Sequence, residues 1–443
     1  MSTLTLWDFF IDPVLRAPTL GSIFMCLASS LVGVIVVIKR QSLLGETLSH
    51  ACYPGVVISS MIAALFFDVS SDISSFIILV GAFVFSLFGL WVVEQLERKL
   101  RISSDAALCF VLSTFLGLGI LIASRIQFTH PLWYRNIQVF LYGQAATMHD
   151  KHIWLYVGLS LSILFFIILQ FRKIELVIFD RTLATLMGLR IKYIDAITYT
   201  LIIIALVLGI RSVGVILMSG MLIAPAVAAR QFTNQLGLLF FLSGIFGMIS
   251  GYGGNVLSVE IPLWLNGNFS LPTGPMILLV AVGLAFFSLL FAPKRGVISR
   301  MIRISRFRFQ CRVENILKTF WKLSEKGALH PHEIILWNHL RMFQVWGLLR
   351  YMIIKGWILK EPPNRYLLTR EGKKRATHLV RLHRLWEVYL VNCLKIGEEK
   401  VHRNAEEMEH IITPELEIYL IELLQNPKKD PHEQPIPQKE ETL

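Results

Sequence analysis

The sequence predicts an all-α polytopic membrane domain of about nine transmembrane helices, followed by a small α+β domain and a short helical one. Three observations predict it. The 443 residues are 54% hydrophobic and only 17% charged, too apolar for one soluble globular domain. The apolar residues are concentrated before about Pro293, in stretches long enough to cross a bilayer. Beyond Lys294 the chain turns polar and carries 27 Lys+Arg against 18 Asp+Glu, a net +9 of the total +12. The expected divisions are 1–293 (membrane domain), 294–312 (basic linker), 313–375 (α+β domain), 376–425 (helical domain) and 426–443 (tail).

The spans are read at roughly 18–38, 44–67, 76–93, 105–124, 153–171, 195–211, 213–230, 236–253 and 274–292. A backbone in hydrocarbon must satisfy its own polar groups, so each span is a helix. Short-loop basic residues set the orientation. Lys39-Arg40, Arg98-Lys99-Arg101, Arg172-Lys173 with Arg181, Arg190 and Lys192, then Arg230 and Lys294-Arg295, all fall on one side. Nine spans then put the N-terminus outside and the C-terminus in the cytoplasm. Arg125, Arg135 and Lys151, together with Arg211, run against the bias.

Several classes are excluded. Three of the five cysteines (Cys26, Cys52, Cys109) lie in spans and no CxxC occurs, which excludes a disulfide framework or a zinc ribbon. The N-terminus lacks the pattern of a cleaved signal peptide. No GxxxxGK[ST] occurs, so the chain is not expected to hydrolyse ATP itself.

The segment QSLLGETLSHACYPGVV (Gln41–Val57) is unusual for a span. Glu46 and His50 stand at i, i+4, with Gly45, Pro54 and Gly55 nearby. Ionisable residues inside a membrane are expensive and usually face a pathway; Gly and Pro at that depth permit a broken helix lining a cavity. The alternative places the pair in a loop between spans. The segment resembles the SLLGDALSHA signature of the metal-type ABC importer permeases. RSVGVILMSGMLIAPAVAARQF (Arg211–Phe232) is similar to that family's glycine-to-PAxxAR span, and LPTGPMILLVAVGLAFFSLLFAPKRG (Leu271–Gly296) to its last span and exit. FDRTLATLMGLR (Phe179–Arg190) resembles the segment that docks on the ATPase, its alternative being an ordinary amphipathic loop. The resemblance covers about residues 1–296. It implies a permease subunit in the bacterial inner membrane with an ATP-binding subunit, a second permease subunit and a periplasmic metal-binding protein as partners. Glu46 and His50 fall on the metal pathway, and Asp180, Ala184 and Gly188 on the ATPase-coupling segment. Glu46 replaces the family's usual Asp. Ser270 stands where an acidic residue commonly precedes the last span, and Glu260 is a candidate to compensate.

After the spans, the segment 313–375 holds 12 basic and 5 acidic residues, and 376–425 holds 5 basic and 9 acidic. A basic module followed by an acidic one suggests an anionic partner for the first and cation binding for the second. Apolar periodicity predicts helices over Val313–Leu323, after His332 and over Phe343–Lys355. GWILKEPPNRYLLTREG (Gly356–Gly372) reads as strand, turn, strand, with the turn at Pro362-Pro363-Asn364. Three helices and a basic hairpin describe a winged helix-turn-helix domain. Gln344 and Arg350 on the third helix, and Arg365, Arg370, Lys373 and Lys374 around the hairpin, are the candidate DNA contacts, with Lys360 and Arg375 beside them. The third helix is strongly apolar, and the alternative is a helix buried in packing or in a dimer.

VHRNAEEMEH (Val401–His410) carries His402, Glu406, Glu409 and His410 at i, i+4, i+7, i+8, one face of a helix. His383 and Glu387 form another i, i+4 pair upstream. Imidazole with carboxylate suits Mn²⁺, Fe²⁺ or Zn²⁺. HRLWE and VHxxAExxEH, in that order, resemble the diphtheria-toxin-repressor family of metal-dependent repressors across about Val313–Gln425. That resemblance implies a metal-binding and dimerisation domain after the winged helix, with operator DNA as partner. It assigns His383, Glu387 and His402 to one metal site and Glu406, Glu409 and His410 to another, with Asn315 near the first-helix ligand and Glu314 adjacent. Carboxylate at 406, where iron-type members carry Cys, favours Mn²⁺ or Fe²⁺ over Zn²⁺. The order of the two halves closely resembles the chlamydial fusions of a metal permease with a metal-dependent repressor. An alternative use of the same half is as a metal-bound gate on transport, without DNA; a third is a tethered regulator behind an inactive permease. The linker Lys294–Arg312 holds seven basic residues and no acidic one. It suits contact with anionic lipid or an exposed protease site whose cleavage would free the C-terminal half. The tail, rich in Pro, Lys and Glu, is expected to be disordered.

Overall fold

The computed structural model describes residues 7–66, 72–143, 145, 148–265, 269–323, 327–338 and 340–438. The chain divides into two compact units, Met1–Arg300 and Met301–Leu443.

The first unit is helical throughout its described residues. Its elements are α1 (Asp8–Ile11), α2 (Pro13–Ile38), α3 (Ser42–Phe66), α4 (Asp72–Lys99), α5 (Ser104–Thr129), α6 (Pro131–Tyr142), α7 (Asp150–Phe179), α8 (Arg181–Leu186), α9 (Ile191–Val213), α10 (Val215–Arg230), α11 (Leu236–Trp264) and α12 (Thr273–Phe291). Eight of them, α2, α3, α4, α5, α7, α9, α11 and α12, are long and apolar enough to cross a membrane. The span expected at 213–230 is α10, whose 16 residues reach only about 24 Å. Gly214, at φ +97°, breaks the chain between α9 and α10. A Cβ on Gly274, at the start of α12, would lie 2.9 Å from the Val213 carbonyl oxygen. At the other end, Arg295 Nη1 donates to the Arg230 carbonyl at 3.4 Å. So α10 begins beside the start of α12 and ends beside its exit.

Small residues hold this unit together. α2 packs against α11, α7 and α10, and α3 against α4 and α5. Gly33 of α2 meets the α10 backbone so closely that a Cβ there would sit 1.8 Å from the Leu222 carbonyl oxygen. Ser243 Oγ donates to the Ser30 carbonyl at 3.0 Å across the α2–α11 seam. Without a hydrophobic drive inside lipid, such close approach and interhelical hydrogen bonding are what hold helices together. Phe88 and Trp91 of α4, Leu121 of α5 and Phe165 and Ile168 of α7 face outward, and that much exposed apolar surface suits lipid. The broken helix expected at Pro54 is absent. α3 runs unbroken through it, and the proline's missing N–H only deprives the His50 carbonyl of its helical donor.

In the second unit, α13 (Val297–Lys322), α14 (Pro331–Asn338) and α15 (Met342–Ile354) precede β1 (Ile358–Glu361) and β2 (Arg365–Leu368); α16 (Arg370–Asn392), α17 (Glu398–Met408) and α18 (Pro414–Leu423) follow. The strands pair antiparallel, Ile358 opposite Leu368 and Glu361 opposite Arg365. Asn364 closes the turn at φ +86°, a conformation Asn tolerates. Ile316, Leu317, Phe320, Val345, Leu348, Leu349, Met352, Ile358 and Tyr366 form one core.

Two expectations are corrected here. The basic linker is not a separate irregular segment: after Gly296 no Gly or Pro interrupts the chain, and Val297–Arg312 is the exposed first half of α13. The tail is ordered as far as its residues are described. Arg381 Nη1 donates to the Pro437 carbonyl at 2.7 Å. Arg384 binds both the Pro435 carbonyl and Asp430, the latter at 3.4 Å. Ile436 is buried against Leu385 and Val388 of α16. Two arginines at one-turn spacing thus pin a segment that composition alone reads as disordered. Residues 439–443 lie outside the described ones.

Candidate metal centre

α16 opens on Thr369, whose hydroxyl accepts from Gly372 N at 3.0 Å. Its buried face carries Leu379, Val380 and Leu382 and then, in the same stripe, His383 and Glu387. α17 packs against α16 through Val401 and Ala405, which leaves the neighbouring His402 at the rim with half its side chain exposed. Three ligand atoms converge. His383 Nε2 lies 3.1 Å from Glu387 Oε1 and 3.1 Å from His402 Nδ1, and His402 Nδ1 lies 2.9 Å from Glu387 Oε1. Among the described residues this trio forms a group able to hold a metal ion.

The trio fits a divalent ion. Octahedral bonds of about 2.1 Å put neighbouring ligand atoms about 3.0 Å apart, against about 3.4 Å for a tetrahedral zinc site. Two imidazoles and one carboxylate on one face also form the donor set of non-haem Fe(II) centres. His383 Nδ1 lies 2.5 Å from Glu409 Oε2, the outer carboxylate that fixes a ligating imidazole's tautomer.

Charge in the site is balanced by pairing. Burial pushes the Glu387 carboxyl up, but hydrogen bonds from His383 and His402 outweigh it and bring it down to about 2. Burial also opposes ionisation of Glu409; His383 and then Lys318 overcome it, and the net shift is downward. For His383 burial favours the neutral ring, yet Glu387 and Glu409 together raise its pKa.

The second ligand set is not assembled as expected. Glu409 turns to His383 and to Lys318, whose Nζ sits 2.7 and 3.0 Å from its two oxygens. His410 Nδ1 lies 2.7 Å from Glu314 Oε2. Glu314 is held in turn by Gln310 Nε2 at 2.9 Å and Arg375 Nη2 at 3.6 Å; burial raises its pKa, but His410 and Gln310 lower it overall. Glu406 is exposed, its nearest recorded partner being His402 Nε2 at 3.6 Å. Asn315 is also exposed, and its neighbour Glu314 faces inward instead. Lys318 is the site residue that the sequence reading passed over. The available signal was Glu314 and Lys318 at i, i+4, in one stripe with the apolar Val313 and Leu317: a charged pair on a buried face.

The remaining candidates fall on three surfaces. Arg365, Arg370, Lys373 and Lys374 are exposed around the hairpin and the first turn of α16, and Arg350 is exposed on α15. Gln344 is half-buried, its Oε1 3.4 Å from Arg341 N in its own first turn. Phe343, Trp346 and Ile354 of α15 are exposed as well. In the membrane unit, Glu46 and His50 lie one turn apart on α3; His50 is buried and its Nδ1 has no hydrogen-bond partner. Asp180 Oδ1 caps α8 at Leu183 N (2.9 Å). Ala184 seats α8 on Val177 and Ile194, and Gly188 turns the chain at φ +76°. Leu183, Leu186 and Met187 remain exposed, Leu186 by 79%.

The comparisons agree with this layout. A model of the ABC 3 transport family matches residues 12–292, and one described as iron dependent repressor, metal binding and dimerisation domain, matches residues 369–438. A probable metal transport system membrane protein of Chlamydia trachomatis serovar D is 35% identical over 97% of this chain and 97% of its own length. The zinc transport system membrane protein TroC of Treponema pallidum is 36% identical over 68% of this chain and 96% of its own. Among solved structures, PsaBC from Streptococcus pneumoniae in complex with Fab superposes with a TM-score of 0.56 at 26% identity, over 68% of this chain and 98% of that one. The chain belongs to the ABC 3 transport family of membrane permeases, and it carries behind the permease a domain of the iron-dependent-repressor type.

Proposed function

We propose that this chain is a permease subunit of an ATP-driven importer of a divalent metal, Mn²⁺ or Fe²⁺ ahead of Zn²⁺, whose cytosolic unit senses the same metal and represses transcription. The observation that carries this reading is the His383–Glu387–His402 triangle placed behind an ABC 3 membrane unit. Glu46 and His50 supply an oxygen and an unpartnered imidazole nitrogen on one face of α3 for an ion to pass. If α10, which parallels α12 from end to end, completes a ninth crossing, the N-terminus lies outside and the C-terminal unit in the cytoplasm. α8, with its exposed Leu183, Leu186 and Met187, is the surface for a separate ATP-binding subunit. A second permease and a periplasmic metal-binding protein complete the importer.

In the cytosolic unit, α13 to α15 with the hairpin form a winged helix. Its exposed Arg365, Arg370, Lys373 and Lys374 would meet DNA phosphates. His383, Glu387 and His402 would hold the ion, whose charge would tie the exposed rim of α17 to α16. The end of α17 reaches the first helix of the winged domain through His410–Glu314 and Glu409–Lys318. Fixing α17 therefore biases the unit toward one arrangement, which a dimer can present to an operator.

A second reading is a transport gate without DNA. It is favoured by the exposed Phe343, Trp346 and Ile354 on α15, where readers of base edges would be Arg, Lys, Asn or Gln. Uptake and transcription separate the halves. Glu46→Ala and His50→Ala should abolish metal uptake by the assembled importer. His402→Ala should leave uptake intact and leave the operon unresponsive to metal. Loss of restraint on uptake in His402→Ala, with unchanged transcription, would favour the gate.

Release of the cytosolic unit by cleavage within 294–312 would have to cut a helix. A shorter C-terminal fragment in cells, appearing or not with metal supply, tests it.

A further inference from the structure

We propose that Lys318 is a resident cation that makes the cytosolic site a one-ion centre, with Glu409 serving as the outer carboxylate of His383 rather than as a metal ligand. This rests on the reading that His383, Glu387 and His402 hold a divalent ion.

The geometry carries the argument. The side chains of Lys318 and Glu409 are 7% and 0% exposed. A buried ammonium persists only where it is paired and hydrogen-bonded. Lys318 Nζ reaches both oxygens of Glu409, at 2.7 and 3.0 Å, and stands 3.2 Å from His383 Nδ1. Glu409 Oε2 also receives His383 Nδ1 at 2.5 Å. A carboxylate offers about four lone-pair directions, and here at least three are directed at Lys318 and His383. The nearby His410 is no freer, because its Nδ1 is engaged by Glu314 at 2.7 Å. Of the set Glu406, Glu409 and His410, only Glu406 is left exposed, and it leans toward His402. A second ion at Glu409 would have to displace the ammonium or sit beside it in a buried pocket, where like charges repel strongly.

His383 is then held between two carboxylates with different duties. Its Nε2 faces Glu387 and His402 in the trio. Its Nδ1–H is donated to Glu409, which orients the ring and raises its basicity as a ligand. Lys318 keeps Glu409 ionised in that role and links the centre to α13.

The test counts Mn²⁺ bound per full-length chain in detergent by equilibrium dialysis, so that ions held by the membrane unit cancel between variants. His402→Ala should bind one ion fewer than wild type. Lys318→Glu should bind one more, with an exchange-broadened Mn²⁺ resonance spectrum in place of the isolated six-line signal. Glu409→Gln should keep the wild-type count while its affinity falls about 10- to 100-fold. Should Lys318→Glu fail to fold, the Glu409→Gln count decides alone. A lost ion in Glu409→Gln, or an unchanged count in folded Lys318→Glu, overturns the proposal while leaving the trio standing. An unchanged count in His402→Ala overturns the reading beneath it.

Discussion

Lys39 Nζ lies 2.7 Å from Asp195 Oδ1, each side chain only 15% exposed. The other Asp195 oxygen binds Arg181, the first residue of α8. One carboxylate on α9 therefore ties the end of α2 to the helix that offers its apolar face to an ATPase. Asp195→Ala leaves a half-buried lysine unpaired, at a cost of about 1–3 kcal/mol. It should lower the melting temperature of the solubilised permease and reduce ATP-driven uptake several-fold, without affecting metal binding by the cytosolic unit. Unchanged uptake would show that this tie does not transmit the ATPase stroke.

The docking face of α8 makes a sharper prediction. Leu186→Asp puts a charge on a side chain that touches little within its own unit. The isolated chain should keep its stability to within about 0.5 kcal/mol. Co-purification of the ATPase subunit should be lost. Retained co-purification would place the ATPase elsewhere.

The ion pairs around His383 set a pH dependence for the metal-free protein. Glu387 is held at about 2, below its ordinary 4.5. Its contribution is present above the ordinary value and is lost as pH falls from about 4.5 toward about 2. His383 is raised above its ordinary 6.5, so its contribution is complete below 6.5 and is lost as pH rises through the raised value. With metal chelated, the melting transition of the C-terminal unit should fall on both sides of a plateau between about pH 5 and 6.5. Metal affinity should rise with pH over the alkaline limb, because Nε2 must lose its proton to bind. A chelated protein growing more stable between pH 6.5 and 8.5 would contradict the pairing described.

The ordered tail is testable by truncation. Ile436→Ala should destabilise the C-terminal unit by about 2 kcal/mol or more, the usual cost of emptying a buried Ile site. Deleting residues 427–443 should cost at least as much, since it also strips Arg381 and Arg384 of their carbonyl partners. A melting temperature indifferent to both changes would mean that the tail does not dock in solution.

Much of this was legible in the sequence, for reasons that can be named. Apolar stretch length located eight of the helices, because a bilayer imposes it. α10 was found but is short, since its packing against α2 and α12 is set by Gly33 and Leu222 and leaves no trace in hydropathy. The hairpin was visible through Pro362-Pro363-Asn364. The i, i+4 spacing placed His383 with Glu387, and the motif order suggested His402 as their partner. What spacing could not show is where Glu409 and His410 turn after α17 ends at Met408. Beyond the helix they no longer share a face with Glu406, and each takes a partner from α13. A lysine opposite a metal site reads as core or surface until that third helix is in place. The tail was missed because Arg381 and Arg384 bind carbonyls, which any sequence supplies.

The central claim, that one chain joins a metal permease to a metal-dependent repressor, is tested most directly by titrating the promoter DNA of its own operon with the full chain in detergent. The titration is run at fixed salt, with and without Mn²⁺ or Fe²⁺. The account predicts binding at least about 10-fold tighter with metal than without, selective over unrelated DNA and lost in His402→Ala. Metal bound at His383, Glu387 and His402 with no selective DNA binding under any condition would contradict it and leave the gate as the function of the cytosolic unit.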